Sequence, residues 1–213
     1  MPSRPKQAEP RPAPRLYLVT PPVADAGRFV AELGGALSAA NVAAVLLRLA
    51  EADERSLINC VKALATVTQE KAAALLLDGY PDLVARGGAD GAHLEGVDAF
   101  NAAIEQLKPD RIAGIGGLTT RHDAMVAAEA AADYLLFGGS GISADVTQEQ
   151  VAWAAELFEL PCVAYANDMK EIAPLIAAGA DFVALDFVWR DVRGVAVALA
   201  EAAACLSLPE PVS

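Results

Sequence analysis

The sequence predicts an α/β fold, a closed (β/α)8 TIM barrel, on three observations. Short apolar runs alternate with alanine-rich helical stretches from Arg15 onward. The apolar runs are continuous rather than alternating, as strands of an all-parallel sheet covered on both faces should be. One joint also recurs. Arg86-Gly-Gly-Ala-Asp90, Glu129-Ala-Ala-Ala-Asp133 and Ala177-Ala-Gly-Ala-Asp181 each close a helix, turn, place an aspartate and enter a buried strand. A repeated helix-to-strand joint is the mark of a β/α array. The rival, a doubly wound open sheet, is disfavoured because no Gly-x-Gly-x-x-Gly follows the first strand.

Taken in order, residues 1–14 carry five prolines among charges and read as an extended, mobile tail; residues 15–208 form one barrel domain, and 209–213 a loose end. Strand one is Arg15–Thr20, stopped by Pro21-Pro22. Arg28–Ala40 is a helix that Gly34-Gly35 should weaken. Val42–Leu49 is a strand with Arg48 near its end, and Ser56 caps a helix to Lys71. Ala73–Asp78, Gly91–Leu94, Arg111–Gly117, Tyr134–Gly138, Pro161–Ala166 and Phe182–Asp186 are the remaining strands. Between them lie helices over Pro81–Gly87, Ala99–Leu107 capped by Asp98, one capped by Thr119 or Thr120 to Ala131, and one opened by Thr147 to Glu159. Asp168 caps another that ends at Gly179, and Asp191–Leu206 is the last.

Composition bounds the function. With 54% hydrophobic and 21% charged residues, a large core is affordable. A net charge of −12 argues against nucleic acid, whose affinity rests on Lys and Arg at phosphates, and against anionic membrane surfaces. No apolar run reaches membrane-spanning length, and the basic N-terminus lacks the apolar core of a secretory signal. Three scattered cysteines, Cys60, Cys162 and Cys205, read as thiols in a reducing compartment, so a cytoplasmic location is expected. A small-molecule ligand is the expected partner. Aromatic residues at Trp153–Phe158 and Phe187–Trp189 suit either burial or a homo-oligomer face.

In such barrels the active site lies at the C-terminal ends of the strands. Those ends supply Thr20, Arg48, Asp78, His93 with Glu95 and Asp98, Gly116-Gly117, Gly138-Gly139-Ser140, Asn167-Asp168 and Asp186, with Arg190 near Asp186. Asp90, Asp133 and Asp181 fall at the opposite face and suit conformational roles. Several acids around one cation, Arg48, receive a bare phosphate poorly and a divalent ion such as Mg2+ well. His93 is either a catalytic imidazole or a hydrogen-bonded core histidine. Asp98, Asp168 and Asp191 also serve as helix caps. An Arg closing an apolar run requires a partner, Asp78 or a ligand. The paired glycines allow close approach of a ligand, or simply turns.

Leu16-Tyr-Leu-Val-Thr20, Leu47-Arg48, Ala89-Asp-Gly-Ala-His-Leu94 with Asp98, Ala132-Asp-Tyr-Leu135 and Pro161-Cys-Val-Ala164 resemble thiamine phosphate synthase and its tautomerase relatives over about Arg15 to Leu206. The resemblance implies joining of a pyrimidine methyl diphosphate to a thiazole phosphate with release of diphosphate. It implies Arg48 at the diphosphate, Asp98 on Mg2+ and Arg48, Asp78 and His93 as the retained catalytic centre. Gly116, Gly138, Asn167 and Asp186 stand where substrate is bound. The departures are as informative. The family's other Mg2+ aspartate is Gly79 here, leaving Asp78 one position away to replace it. Its strand-five serine is Gly116, its Thr-Pro-Thr-Lys loop has no counterpart in Gly139–Asp145, its strand-seven glycines fall on about Tyr165–Asn167, and its Val-Ser falls on Leu185-Asp186. The tautomerases' histidine has no match, His122 lying on the following helix. Phosphate holders are lost and acids are gained. Three functions stay open: a synthase with altered contacts, a non-catalytic ligand- or partner-binding paralogue, and a different metal-assisted reaction using Asp78, Glu95, Asp98 and Asp186.

Overall fold

The computed structural model describes residues 12–206; the two terminal readings fall largely outside them. Eight parallel strands close in sequence order into a barrel, β1-β2-β3-β4-β5-β6-β7-β8. They are β1 Arg15–Val19, β2 Val42–Leu47, β3 Ala74–Asp78, β4 Gly91–Glu95, β5 Ile112–Gly116, β6 Tyr134–Phe137, β7 Cys162–Ala166 and β8 Phe182–Leu185. The helices are α1 Ala26–Ala39, α2 Glu54–Gln69, α3 Pro81–Gly87, α4 Val97–Leu107, α5 Arg121–Glu129, α6 Ala144–Leu157, α7 Ile172–Ala177 and α8 Val195–Cys205.

Period-two alternation divides the apolar residues between two cores. Leu16, Leu18, Val45, Leu47, Leu75 and Leu77 face the helices and are fully buried, each contributing roughly 1.5–3 kcal/mol. Tyr17, Val19, Leu46, Leu76, Tyr134, Leu136, Val163 and Tyr165 fill the lumen. The lumen admits such large rings because β5 offers glycine opposite them. A Cβ on Gly114 would lie 1.9 Å from Cζ of Tyr134.

The recurring aspartate forms a two-bond clip. The Leu75 amide donates to Asp90 Oδ2 at 2.7 Å while the Asp90 amide donates to the Leu75 carbonyl at 2.8 Å. Ala113 and Asp133 repeat this at 2.7 and 2.9 Å, and Cys162 and Asp181 at 2.8 and 2.9 Å. Each clip ties the start of an odd strand to the residue entering the next even one. Two residues before each aspartate the backbone is left-handed: Gly88 (φ 76°), Ala131 (φ 63°) and Gly179 (φ 104°).

Several helix starts differ from the sequence expectation. Asp53, not Ser56, caps α2; Ser56 donates its amide and hydroxyl to that carboxylate at 3.1 and 2.6 Å. Ser143, not Thr147, caps α6, because Thr147 is needed in the core. Gly96 stands at the N-cap of α4, putting Asp98 inside the first turn. Asp168 caps only a 3-10 turn, Met169–Glu171, ahead of α7. Asp191 instead grips Arg193, and α8 starts at Val195. The Gly34-Gly35 pair does not interrupt α1. Thr120 does cap α5, with a reciprocal bond from its amide to Asp123. The aromatic residues considered for an oligomer face are engaged within the chain. Trp189 donates to the Val19 carbonyl at 2.7 Å and packs on Phe29, while Trp153 meets Phe158 and the Arg121 guanidinium. No cysteine forms a disulfide. No helix among the described residues is long and apolar enough to cross a membrane.

Candidate active site at the barrel mouth

The C-terminal mouth is organised around Arg48. Thr20, fully buried, accepts the Arg48 amide at 3.0 Å and fixes the backbone where β2 ends. The guanidinium then reaches across the mouth. Its Nε lies 3.4 Å from Asp78 Oδ2 at the end of β3, and Nη1 lies 3.6 Å from Asp186 Oδ2 after β8. Arg190 meets the other Asp186 oxygen at 3.1 Å. The structure thus brings together Arg48, Asp78 and Asp186, and the Arg48 partner expected from sequence is an acid on each side.

His93 is 1% exposed. Parallel pairing sets it beside Asp78 on β3 and Gly114 on β5. Its Nδ1 shares a 3.0 Å hydrogen bond with the Tyr134 hydroxyl, which shares another of 2.8 Å with Tyr17. The imidazole stacks on the Tyr134 ring, 7° from parallel. Nε2 points outward, 3.6 Å from Glu95 Oε1, a contact that becomes an ion pair when the ring is protonated. The histidine is therefore a core-anchored residue with one nitrogen turned to the mouth. Contact with His93, more than Arg48, holds the Glu95 carboxylate below its ordinary range. Burial pushes the Tyr17 and Tyr134 phenols well above theirs, so both hydroxyls keep their protons.

The glycines make room for the protein's own side chains. A Cβ on Gly116 would meet His93 Nε2 at 2.7 Å, one on Gly117 would meet Glu95 Oε2 at 2.5 Å, and one on Gly138 would meet Thr147 Oγ1 at 2.7 Å. The position where the resemblance implies a serine hydroxyl is thus closed by the imidazole.

At the β7–β8 side, internal carboxylates occupy the backbone donors. Glu171 Oε2 accepts the Asn167 amide at 2.6 Å and its Nδ2 at 3.3 Å. Asp168 Oδ1 accepts the amides of Lys170 and Glu171 at 2.8 and 3.2 Å. Asn167 Nδ2 also donates to the Ile142 carbonyl at 3.2 Å, closing the loop after β6 onto this side. Tyr165, 3% exposed, lines the recess beneath the mouth, and its buried hydroxyl makes no hydrogen bond of ordinary geometry. Burial, then the neighbouring Asp186 carboxylate, pushes its pKa up to about 12.

The recess, lined by Arg48, Asp78, His93, Glu95, Gly138 and Tyr165 among others, measures about 50 Å3. Asp98 is exposed on α4 and is not among its lining residues. Among the described residues no three His, Cys, Asp or Glu side chains cluster as a ready metal cage. Mg2+, however, commonly takes one or two carboxylates and completes its shell with phosphate oxygens and water, and the oxygen donors of Asp78 and Asp98 suit that chemistry. At the opposite end of the barrel an apolar hollow of about 280 Å3 is lined by Ala44, Ile112, Phe182, Tyr17 and Tyr134, with Arg15 and Asp133 also in its wall.

Sequence reasoning missed three participants: the Tyr17–Tyr134 pair, Tyr165 and Glu171. The tyrosines were visible as polar-tipped residues at lumen-facing positions of β1, β6 and β7; Glu171 carried no signal, being set by the 3-10 turn.

Comparison with known proteins then bears on this geometry. A family model described as thiamine monophosphate synthase matches residues 16–186. A thiamine-phosphate synthase of Rhodospirillum centenum is 39% identical over 196 residues, covering 88% of this chain and 95% of that protein. One from Hyphomonas neptunium is 36% identical over 208 residues, covering 90% and 93%. Among solved structures, a thiamine phosphate pyrophosphorylase from Pyrococcus furiosus superposes with a TM-score of 0.77 at 24% identity, covering 90% of this chain and 95% of that one, and supports the fold.

Proposed function

This chain belongs to the thiamine monophosphate synthase family, and from that premise we propose that its mouth binds the ligands of thiamine assembly, with the pyrimidine half retained and the phosphate grip on the thiazole half weakened. The observation that carries the reading is Arg48, held at the centre of the mouth between Asp78 and Asp186. It is the family's matching cation and is poised to exchange carboxylate for diphosphate. Arg suits this exchange because its planar fork pairs equally with either anion.

In this reading Arg48 contacts the diphosphate leaving group. Asp78 and Asp98 would hold Mg2+, which supplies charge neutralisation at the departing diphosphate. His93 Nε2 faces the pyrimidine, its ring locked by Tyr134. Gly116 and Gly138 keep the floor low, and Asn167 and Asp186 border the thiazole. Catalysis that rests on placing charge tolerates substitutions better than catalysis that rests on a nucleophile, so slow turnover accompanies this altered site. A cytoplasmic location, where such small-molecule chemistry runs, fits the composition.

The test is a thermal-shift titration with thiamine phosphate and with inorganic diphosphate, each with and without Mg2+. Ligand at 100 times its Kd stabilises by about 2.7 kcal/mol, and a domain of this size gains ~2–4 °C per kcal/mol. A Mg2+-dependent rise with diphosphate is the expected result. No rise with either ligand at millimolar concentration would remove the site from this family's chemistry. The Glu171–Asn167 contact favours one second reading, a binding paralogue without turnover; a diphosphate-release assay with both substrates separates it from the synthase.

A further inference from the structure

We infer that Tyr134 is a positioning residue that fixes neutral His93 as its Nε2–H tautomer, so that the imidazole meets the pyrimidine as a hydrogen-bond donor to a ring nitrogen and not as a base. The inference rests on the proposed function above and assigns the role of one group at that same site.

Two hydroxyl protons have to be placed behind the imidazole. Tyr17 and Tyr134 both keep theirs, because burial pushes each phenol well above its ordinary range. Among the described residues the Tyr17 hydroxyl has one hydrogen-bonding partner, the Tyr134 hydroxyl at 2.8 Å. The Tyr134 hydroxyl has two, Tyr17 and His93 Nδ1 at 3.0 Å. Asp78 acts on both phenols through its charge, and no hydrogen bond joins it to either. A phenol has one proton to give, and a neutral imidazole has one donor and one acceptor nitrogen.

One arrangement pairs both protons. Tyr17 donates to the Tyr134 oxygen, and Tyr134 donates to Nδ1. Nδ1 is then the acceptor, and the ring proton sits on Nε2, since the bond made by one nitrogen sets the state of the other. The reverse arrangement has Nδ1–H donating to Tyr134 and Tyr134 donating to Tyr17. It leaves the buried Tyr17 proton without an acceptor, a defect that native structures avoid.

The outer nitrogen points independently to the same tautomer. Nε2 lies 3.6 Å from Glu95 Oε1. An ionised carboxylate only accepts, so it favours an N–H there over a lone pair. At that separation the contact is longer than a hydrogen bond, so the proton stays available to a ligand. The Glu95 side chain is largely exposed and free to turn aside. Gly116 keeps the approach open, for a Cβ there would sit 2.7 Å from Nε2. The stack of the imidazole on Tyr134 holds the ring, and turning it over would put Cδ2 against the hydroxyl. A pyrimidine ring nitrogen offers an in-plane lone pair and no proton, which is the complement of Nε2–H. The same N–H has no lone pair with which to take a proton.

The experiment is nitrogen-15 NMR of the full chain labelled at histidine, in mildly alkaline buffer. The chain has two histidines, and the exposed His122 serves as the reference, assigned with His122→Gln. Wild-type His93 is expected to show the Nε2–H pattern alone. Tyr134→Phe should move its Nδ1 resonance downfield, toward a nitrogen with an unshared lone pair. Tyr17→Phe should keep the Nε2–H pattern, because Nδ1 is still the one acceptor for Tyr134. Melting temperatures show that each variant is folded. On addition of 4-amino-5-hydroxymethyl-2-methylpyrimidine, the wild-type Nε2 proton should remain and move downfield, and Tyr134→Phe should bind this pyrimidine about fivefold more weakly by calorimetry. An Nδ1–H pattern in wild type, a tautomer mixture like that of His122, or a Tyr134→Phe spectrum identical to wild type overturns the inference while leaving the family's ligand site standing. A pyrimidine that binds and leaves the His93 resonances unmoved overturns the donor role. If the folded wild type binds no pyrimidine, the proposed function falls and the donor role with it.

Discussion

Removing one clip should measure what the recurring aspartate contributes. In Asp90→Ala the fully buried Leu75 loses the acceptor of its 2.7 Å amide bond, and Gln69 Nε2 loses contacts of 3.1 and 3.2 Å. A hydrogen bond to a charged group contributes about 1.5–3 kcal/mol, and a buried donor left without an acceptor costs about 1–3 kcal/mol. Asp90 is only half-buried and water can partly replace it, so the lower part of that range applies, about 1.5–2 kcal/mol. For roughly 200 residues this is a fall in Tm of about 3–8 °C. Asp90→Asn keeps an acceptor oxygen and should recover at least half of the loss. Urea unfolding followed by circular dichroism, at neutral pH and in both low and high salt, reads the difference. A loss below about 0.5 kcal/mol for the alanine variant, or an asparagine variant as unstable as the alanine one, would refute the clip as an energetic feature and leave it as a geometric accompaniment of the turn.

Three further outcomes follow from the same geometry. Gly114→Ala should cost more than 3 kcal/mol or prevent folding, because its Cβ would sit 1.9 Å from Tyr134 Cζ inside a closed lumen; soluble yield and melting temperature report it. Ala131→Gly should stabilise by about 0.5–1 kcal/mol, since the left-handed backbone at φ 63° penalises a Cβ by more than the glycine's added unfolded-state entropy; urea midpoints check it. The Asp191 carboxylate is held down to about 2 by bonds from Arg193. A depressed acid contributes stability above its unfolded value of 3.8 and loses it as pH falls from there toward about 2. Acid unfolding of Arg193→Ala should therefore begin at higher pH than wild type in low salt, with the gap closing in concentrated salt because the pair is exposed.

The barrel was legible because its evidence is local. Runs such as Leu75-Leu76-Leu77 and Val183-Ala184-Leu185 read as buried strands wherever they occur, and the Ala-Asp joints announced the period. The mouth was legible by rule: the chain's own order puts Arg48, Asp78, His93 and Asp186 at strand ends, and closure brings Arg48 between its two acids. Helix starts were less so. At Asp53 and Ser56, or Ser143 and Thr147, two capping side chains three or four residues apart compete, and burial of Thr147 decides between them. Contacts across the lumen were illegible. Tyr17 and Tyr134 meet over 117 residues of sequence because the sheet closes, and no spacing in the chain encodes that distance. Gly116 read as an opening toward a ligand, and only the placement of His93 shows what fills it.

The three clips also divide the chain into modules. Each spans one strand–helix–strand segment, β3 to β4, β5 to β6 and β7 to β8, and none spans the connections from α4 to β5 or from α6 to β7. Among the described residues the first two strands carry no such clip, and their register shifts between Leu16 and Tyr17. A chain opened at Pro109-Asp110, between the second and third quarters, would keep every clip within its own fragment. From β3 onward the barrel is thus organised as three successive quarter-barrels, each able to carry its own entry geometry into a permuted or recombined descendant.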